Sequence, residues 1–543
     1  MLTICRARLW AGLFFTPWLF AQTNFQPIQN LPPNLIQTAA QQLPHFDSNL
    51  AALALFSKSQ GQPLKAEFHP DFKTPRNLVG KLSAPSEDSP ETIAMAFVQQ
   101  FRKSLKVGEK DKVRVHSTQI DDLGFAHVKM RFFQKDLEIW PAEALVHIDE
   151  TGVIQSFNGI FRSTPSLNLD PKISAEVALQ KVMATLDLPF ELEAQTKLLI
   201  YDWHVESPVL AYRIHLHPTV PAPYGEEVFV NAYTGEILNR INKVCSALPT
   251  DIDWSKGNYQ TFQPTNLLSA DGRLKVATNA EVFPNGDGSV QVQVGAYNDG
   301  TGIFLVNTSK PMYPGQLDVS NLAGTIYVLD AKHQNQPQGV AGDPNGDGIF
   351  NDDSDTVASG AVAFQLSRTY DWLLQTFNRN SFDGNGTAMR SFSNFRTDPS
   401  RGLDNAFWNG RELIFGDGGS FTRNWAYSLD FATHEICHAI TTSTADLVYQ
   451  FQSGALNESF SDMYGVTQDD ANWLLGESVV LAGVFGAPAL RSFSDPSQGL
   501  QPGHPGWQPT NMNQYANLQA NVDNGGVHIN SGITNHAFYQ LAQ

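Results

Sequence analysis

An α+β fold is expected for this chain of 543 residues, and three patterns predict it. Helical periodicity followed by alternating strands occurs twice in the first 240 residues. A stretch rich in Gly and Asn, with short alternating segments, runs from about 246 to 327. Helix periodicity dominates from 361 onward, broken by long loops. Three or four folding units are expected, because a single core stops growing beyond about 250–300 residues.

Residues 22–90 are rich in Gln, Pro and Asn with weak periodicity, so loop with short helices is expected there. Ile93, Phe97, Val98 and Phe101 then share one helical face. Val128, Met130 and Phe132 alternate with Lys129 and Arg131, as in a strand buried on one side. A strand at 144–148 turns through Asp149-Glu150-Thr151-Gly152 into another at 153–157, a hairpin signal. Ser174 can cap a helix carrying Val177, Leu179, Val182 and Leu186, with strands following at 209–216 and 227–231. The turn Tyr233-Thr234-Gly235 echoes the earlier Thr-Gly turn. Two related helix-plus-antiparallel-sheet units are therefore expected, near 50–165 and 170–240. His215 and His217 share a strand face with no carboxylate evident nearby, and are expected to be core or solvated histidines. Residues 240–265 read as a boundary. A helix is expected up to Phe377, then a Gly- and Asn-rich loop at 383–386, then a helix starting near Asp430.

Composition narrows the function. Hydrophobic residues make up 42% and charged residues 17%, which fits large cores and argues against disorder. A net charge of −18 argues against nucleic acid as a partner, since phosphate contacts need a basic face. It suits a soluble protein whose acidic clusters can hold calcium. Arg6 and Arg8 precede an apolar run from Leu9 to Phe20 broken by Pro17, and Ala21 is a candidate cleavage residue, so 1–21 reads as a secretory signal peptide. No later segment is long and apolar enough for a membrane span. Cys245 and Cys437 remain after the signal; one disulfide is conceivable, but Cys437 lies in a candidate metal helix and reads better as a small buried residue.

The chemistry centres on His434-Glu435-Ile436-Cys437-His438, an H-E-x-x-H motif. On a helix, positions i and i+4 share a face, so both imidazoles can reach one metal ion. Glu435 stands where its carboxylate can meet a water on that metal. The motif arises by chance in about one such chain in fifty, and a solvated helix with two surface histidines is the bland reading. A third ligand decides between them. Glu458, in Asn457-Glu458-Ser459-Phe460-Ser461-Asp462, is a good candidate on a second helix. Asp462, one turn further on the same face, and Asn457 could hold the remote nitrogens of the two histidines.

Taken together, these segments resemble the thermolysin-like family of secreted zinc endopeptidases. The resemblance extends to Asn405-Ala406-Phe407-Trp408-Asn409-Gly410 and to Leu490-Arg491-Ser492-Phe493-Ser494-Asp495-Pro496. It extends also to Asp523-Asn524-Gly525-Gly526-Val527-His528-Ile529-Asn530-Ser531-Gly532. It covers 320–543 strongly and 50–240 more weakly, as an N-terminal prosegment. It implies a two-lobed domain with the zinc site between the lobes. The expected organisation is a signal peptide at 1–21, a prosegment at 22–243, a β-rich N-terminal lobe at 244–430 and an α-helical C-terminal lobe at 431–543.

The resemblance implies zinc on His434, His438 and Glu458, with a water of lowered pKa deprotonated by Glu435. It assigns oxyanion donors to Tyr449 and His528, the latter oriented by Asp523. It gives Arg491 the substrate carbonyl, Asn405 and the Ala406 backbone an extended substrate strand, and Phe431 with Leu490 an apolar pocket for the residue after the cut bond. Asp430, Asp469, Asn472 and Glu477 are candidate calcium positions, though Leu474 stands where the family has a further carboxylate, so one ion is expected. Asp343-Pro344-Asn345-Gly346-Asp347-Gly348 resembles the start of a calcium loop, with Ser354 at the closing position, a partial match.

The implied function is an extracellular endopeptidase made as a zymogen. Its partners are peptide substrates and its own prosegment, acting as inhibitor and folding aid. A thiolate of Cys245 capping zinc in the latent chain ranks below simple blocking of the cleft. Only fifteen residues come after His528, so the sequence is expected to be either a fragment or a shortened lobe. A catalytically impaired secreted binding protein is the alternative, disfavoured because no catalytic or zinc position is substituted. Another H-E-x-x-H enzyme such as an aminopeptidase ranks lower still.

Overall fold

A computed structural model describes residues 37, 45–248 and 276–543, apart from 71–72, 122, 163, 220–221, 223, 301, 318–321 and 336–338. The signal peptide expected at 1–21 lies outside the described residues.

Residues 45–242 build one ten-stranded sheet with helices on it. The strands are β1 (Lys65–Phe68), β2 (Pro75–Val79), β3 (Asp111–Ile120), β4 (Ala126–Gln134), β5 (Leu137–Ile148), β6 (Ile154–Ile160), β7 (Leu192–Tyr201), β8 (Val209–Pro218), β9 (Glu226–Asn231) and β10 (Ile237–Asn242). The order is β1-β2-β6-β5-β7-β8-β9-β10, with β4 on β5 and β3 on β4. The sheet is continuous, with a first unit of strands β1–β6 and a second of strands β7–β10, each carrying at least one helix. They join where β5 runs parallel to β7, through Ile139 beside Ile200 and Trp140 beside Tyr201.

The first unit opens with α1 (Ser48–Ser59) and continues with α2 (Pro90–Gln100). Helix α2 is capped by Ser89 and starts on a proline whose missing N–H costs nothing there. It buries Ile93, Ala94, Phe97 and Val98 against Val128, Met130, Phe132, Val146 and Phe157 of the sheet. Strand β4 alternates buried and half-buried along its whole length, as its sequence requires. In the second unit, Ser174 caps α3 (Ala175–Met183) by accepting from the Val177 N–H.

Two expectations change. The sequence predicts loop with short helices over 22–90; residues 22–36 and 38–44 lie outside the described residues, and beyond them α1 is a twelve-residue helix, with β1 and β2 after it. Its apolar residues surround the helix instead of forming one stripe, so no periodicity marks it. His215 does have a carboxylate partner: its Nδ1 lies 3.2 Å from Glu227 Oε1 on the neighbouring strand, a cross-strand pairing invisible in local sequence.

The C-terminal half adds a three-stranded sheet, β12 (Val276–Val282), β13 (Val292–Asn298) and β14 (Ile303–Phe304). A seven-stranded mixed sheet contains β11 (Cys245–Ser246), β15 (Val306–Asn307), β16 (Ile326–Asp330), β17 (Gly339–Val340), β18 (Met389–Phe395), β19 (Ala406–Trp408) and β20 (Leu413–Gly416). Helix α4 (Ser354–Phe377) starts at a capping box on Asp353 and packs on this sheet. Helices α5 (Leu429–Ser443), α6 (Phe451–Asp469) and α7 (Asp523–Ala542) come after it. One apolar cluster joins the sheets to the helices through Val282, Val328, Leu366, Trp408, Phe431 and Leu490. Cys245 and Cys437 are both buried and free, so the conceivable disulfide is not formed.

Candidate metal centre and cleft

Every residue of α5 from Leu429 to Thr441 is buried, so the helix is central and its polar side chains must find partners inside the protein. His434 and His438 present their Nε2 atoms 3.0 Å apart. From α6, Glu458 places Oε1 at 3.3 Å from His438 Nε2 and Oε2 at 3.6 Å from His434 Nε2. These three donors lie within 4.8 Å of one another, the group of that kind found among the described residues.

The remote nitrogens both face polar side chains. His438 Nδ1 is 2.9 Å from Asn457 Oδ1, so as the N–H it leaves the Nε2 lone pair free. His434 Nδ1 is 2.9 Å from Asp462 Oδ1, at the distance but not the angle of a linear hydrogen bond. Both oxygens of Glu435 are buried without a hydrogen-bond partner. Glu458 Oε2 accepts no hydrogen bond either, with the Arg491 guanidinium 3.3 Å away. Buried carboxylate oxygens facing two imidazole lone pairs are costly unless a cation joins them. Two nitrogens and one carboxylate fit zinc with a coordination position left open.

The groups around this point are electrostatically coupled. Burial, reinforced by the Glu458 charge, pushes the Glu435 carboxyl up to about 8. Burial opposes ionisation of Glu458 as well, but His528, His438 and His434 outweigh it and hold its pKa well below the usual range. Burial lowers His528, while Glu458 and Asp523 outweigh it and raise it to about 8. A divalent cation here would act downward on both Glu435 and His528.

His528 is delivered by the start of α7. Asn524, Gly525 and Gly526 take φ of 48°, 84° and 87°, a left-handed turn ahead of the regular helix. A side chain on Gly525 would also strike Phe451, at 2.3 Å from its Cδ1. The turn lets Asp523 reach back to accept from the His528 N–H at 3.0 Å and to hold His528 Nδ1. Tyr449 donates to Glu458 Oε1 and lies 3.3 Å from His528 Nε2.

Arg491, 2% exposed, pairs with Asp462. Phe431 and Leu490 are fully buried and flank Gly476, where an added Cβ would meet both. Asn405 and Ala406 lie at β19, and the chain's own residues 245–248 run alongside them. Cys245 packs with Tyr449 and Val527 and borders the three donors: burial lowers the His438 pKa, but Cys245 and Glu458 outweigh it and raise it well above its ordinary value.

The candidate calcium residues are gathered more loosely than the zinc donors. Asp430 is buried at the start of α5, accepting from the Ser428 hydroxyl and from the N–H groups of Phe431 at 2.8 Å and Gly476 at 2.5 Å. Burial, with the charges of Glu477 and Asp469, pushes its carboxyl up to about 7. Asn472 donates to Glu477 Oε1 at 2.7 Å, while Glu477 Oε2 is buried without a partner. In the loop at 343–348, Asp343 accepts backbone N–H bonds from Asn345, Gly346 and Gly348, which commits its oxygens to the turn.

Three supporting residues carry no sequence signal. Asn535 on α7 donates to Asp462 Oδ2 at 2.8 Å, Gln508 donates to the His528 carbonyl at 2.6 Å, and Ser461 Oγ lies 3.1 Å from His438 Nδ1. Lone amides and hydroxyls on loops and helices are read only once the partner is in place.

Comparison with known proteins identifies the family. The thermolysin metallopeptidase catalytic domain matches residues 287–442, its α-helical domain 445–543, and the fungalysin/thermolysin propeptide motif 111–161. Thermolysin of Alicyclobacillus acidocaldarius subsp. acidocaldarius is 30% identical over 498 residues, covering 87% of this chain and 81% of that protein. Bacillolysin of Brevibacillus brevis is 27% identical over 514 residues, covering 91% and 83%. The precursor of protealysin, a metalloproteinase from Serratia proteamaculans, aligns at 35% identity over 40% of this chain and 68% of that structure, with a TM-score of 0.35. The chain belongs to the thermolysin family of metallopeptidases: it is a metalloendopeptidase with a propeptide.

Proposed function

We propose that the chain is an extracellular zinc endopeptidase whose cleft is blocked by its own prosegment. The observation that carries this is the convergence of His434 Nε2, His438 Nε2 and a Glu458 carboxylate oxygen on one buried point, beside the partnerless carboxylate of Glu435. A zinc ion on those three donors would supply Lewis-acid polarisation and a water of lowered pKa.

The chain's own residues do the rest. Glu435 takes the proton of the attacking water and returns it to the leaving amine. His528, held by Asp523, and Tyr449 donate to the carbonyl oxygen as it gains charge. Asn405 and the Ala406 backbone bind the peptide as an added strand, and Arg491 takes the carbonyl beyond the cut bond. Phe431 and Leu490 favour an apolar residue just after that bond. Asp430, Asp469 and Glu477, with Asn472, would hold one calcium ion, because repelling carboxylates around a buried oxygen call for a cation. An extracellular location is supported by the signal-like start of the sequence. No helix among the described residues is long and apolar enough to cross a membrane.

The test is Glu435→Gln. The variant should bind one zinc per chain like the wild type and lose roughly 10²- to 10⁴-fold in turnover of an internally quenched peptide. Wild-type turnover by the variant would remove the proton-transfer role.

A further inference from the structure

We propose that the β-rich lobe binds a saccharide in a cavity beside α4, lined by side-chain amides and one indole. The cavity has a volume of ≈ 570 Å³, within the range of pockets that take small organic ligands. Strand β13, the chain at β15 and one face of α4 line it, together with Gln468 at the end of α6. None of the zinc, calcium, catalytic or peptide-binding residues named above lines it.

The polar lining is held in place by the protein. Asn307, 3% exposed, donates from Nδ2 to Ser367 Oγ at 2.9 Å and accepts at Oδ1 from the Ser309 N–H at 2.9 Å. The Ser367 hydroxyl, an acceptor there, keeps its own proton to give. Gly295 makes room for Asn307, since an added Cβ would lie 2.2 Å from Asn307 Oδ1. Gln468, 6% exposed, accepts at Oε1 from the Thr433 hydroxyl. That bond fixes its amide and leaves Nε2 buried without a partner. A buried donor with no acceptor is costly, and an oxygen-bearing ligand would relieve it.

The kinds of group in the lining select the ligand. Asn279, Gln293, Gln375 and Gln468 supply amides, which donate and accept at once and so match adjacent hydroxyls on a sugar ring. Half-buried Trp372 supplies an apolar face for the C–H side of that ring. Phe377 and Tyr464 meet the indole edge-on, with centroids at 5.1 and 5.7 Å, which sets its orientation. Charge is largely neutralised within the lining: Lys310 Nζ pairs with Asp371 Oδ2 at 2.6 Å, and Arg368 is the further cation. A polyanion would call for several unpaired cations, and a hydrocarbon for fewer amides. A peptide strand needs a row of free backbone groups, whereas these donors and acceptors are side chains from separate elements. A neutral polyol with an apolar face answers to all of them, and the volume admits a disaccharide.

The experiment uses the full chain carrying Glu435→Gln, so that no turnover intervenes. Its cleft already holds residues 245–248. The Ser246 carbonyl faces His528 Nε2 at 2.5 Å, and Leu248 bonds through its N–H and carbonyl to the Asn405 side chain at 3.1 and 2.8 Å. Binding therefore reads the cavity and not the cleft. Cellobiose, maltose and N,N′-diacetylchitobiose are titrated in turn by calorimetry, with tryptophan fluorescence alongside and a blocked trialanine peptide as control. At least one disaccharide should bind at one per chain with a Kd of about 1 mM or tighter. Trp372→Ala should abolish that binding. Gln293→Ala and Gln375→Ala change exposed side chains that the core does not need, and each should weaken binding about fivefold, the loss of one hydrogen bond. Absence of binding by all three disaccharides overturns the proposal. So does wild-type affinity in all three variants, which would put the ligand elsewhere. Binding of the trialanine peptide that the same variants weaken would make the cavity a peptide site and overturn the saccharide assignment.

Discussion

Asn405→Ala tests how the cleft holds a peptide. Asn405 is 2% exposed and makes two hydrogen bonds to the backbone of the residue lying two places beyond the His528-facing carbonyl. Each neutral hydrogen bond of this kind contributes about 1 kcal/mol net. Removing both should cost about 2 kcal/mol, which is roughly 30-fold in kcat/KM. The bonds are distant from the reacting carbonyl and should serve ground state and transition state alike. KM should therefore rise while kcat changes little. The assay is steady-state hydrolysis of an internally quenched peptide by prosegment-free protein, with zinc content measured in parallel. The near-ultraviolet spectrum should be unchanged, since no buried charge loses its partner. A kcat/KM within twofold of wild type would refute the idea that peptides bind as a strand on β19 through Asn405.

Two further outcomes are expected from the charged groups away from zinc. Removing calcium while keeping zinc should lower the melting temperature by roughly 5 °C, the effect of losing about 2.7 kcal/mol of ligand-linked stability at 100-fold saturation; an unchanged melting temperature would remove the calcium site. Asp446 ties the peptidase half to the prosegment, with Lys243 Nζ at 3.6 Å. Burial alone would raise its carboxyl, but Lys243, then Arg213, Arg131 and Lys129, outweigh burial and hold it below its ordinary 3.8. The stabilisation of the docked state is therefore present above the undocked value and lost as pH falls through the lower, docked value. Because the Asp446 side chain is 38% exposed, solvent screening limits the contact to about 0.2–1 kcal/mol. Asp446→Asn should weaken retention of the cleaved prosegment by about 1.4- to fivefold at neutral pH and flatten the dependence at acid pH; equal retention would count against this contact.

Much of the centre is legible in the sequence because its residues repeat at helical spacing. His434 and His438 are four apart, and so are Glu458 and Asp462, so two helices declare which faces meet. The strands at 128–132 and 144–157 are legible for the analogous reason, a period of two with a turn at Gly152. What escapes is non-local or unpatterned. Helix α1 buries Leu50, Ala51 and Leu53 but is apolar on other sides too, so no stripe marks it. The His215–Glu227 contact depends on strand register. Asn535 supports Asp462 from a helix whose sequence names no partner. The occupation of the cleft by residues 245–248 rests on a two-residue strand pairing with β19, far along the chain, which has no local signature. Its nearest trace in the sequence is the boundary at 240–265.

The most direct test of the account is a zinc titration of metal-stripped, prosegment-free protein, with quenched-peptide hydrolysis as the readout. Turnover should be absent without metal, rise linearly with added zinc and level off at one equivalent per chain, with His434→Ala and Glu458→Ala failing to recover. Full turnover by the metal-free protein would contradict a centre built on His434, His438 and Glu458.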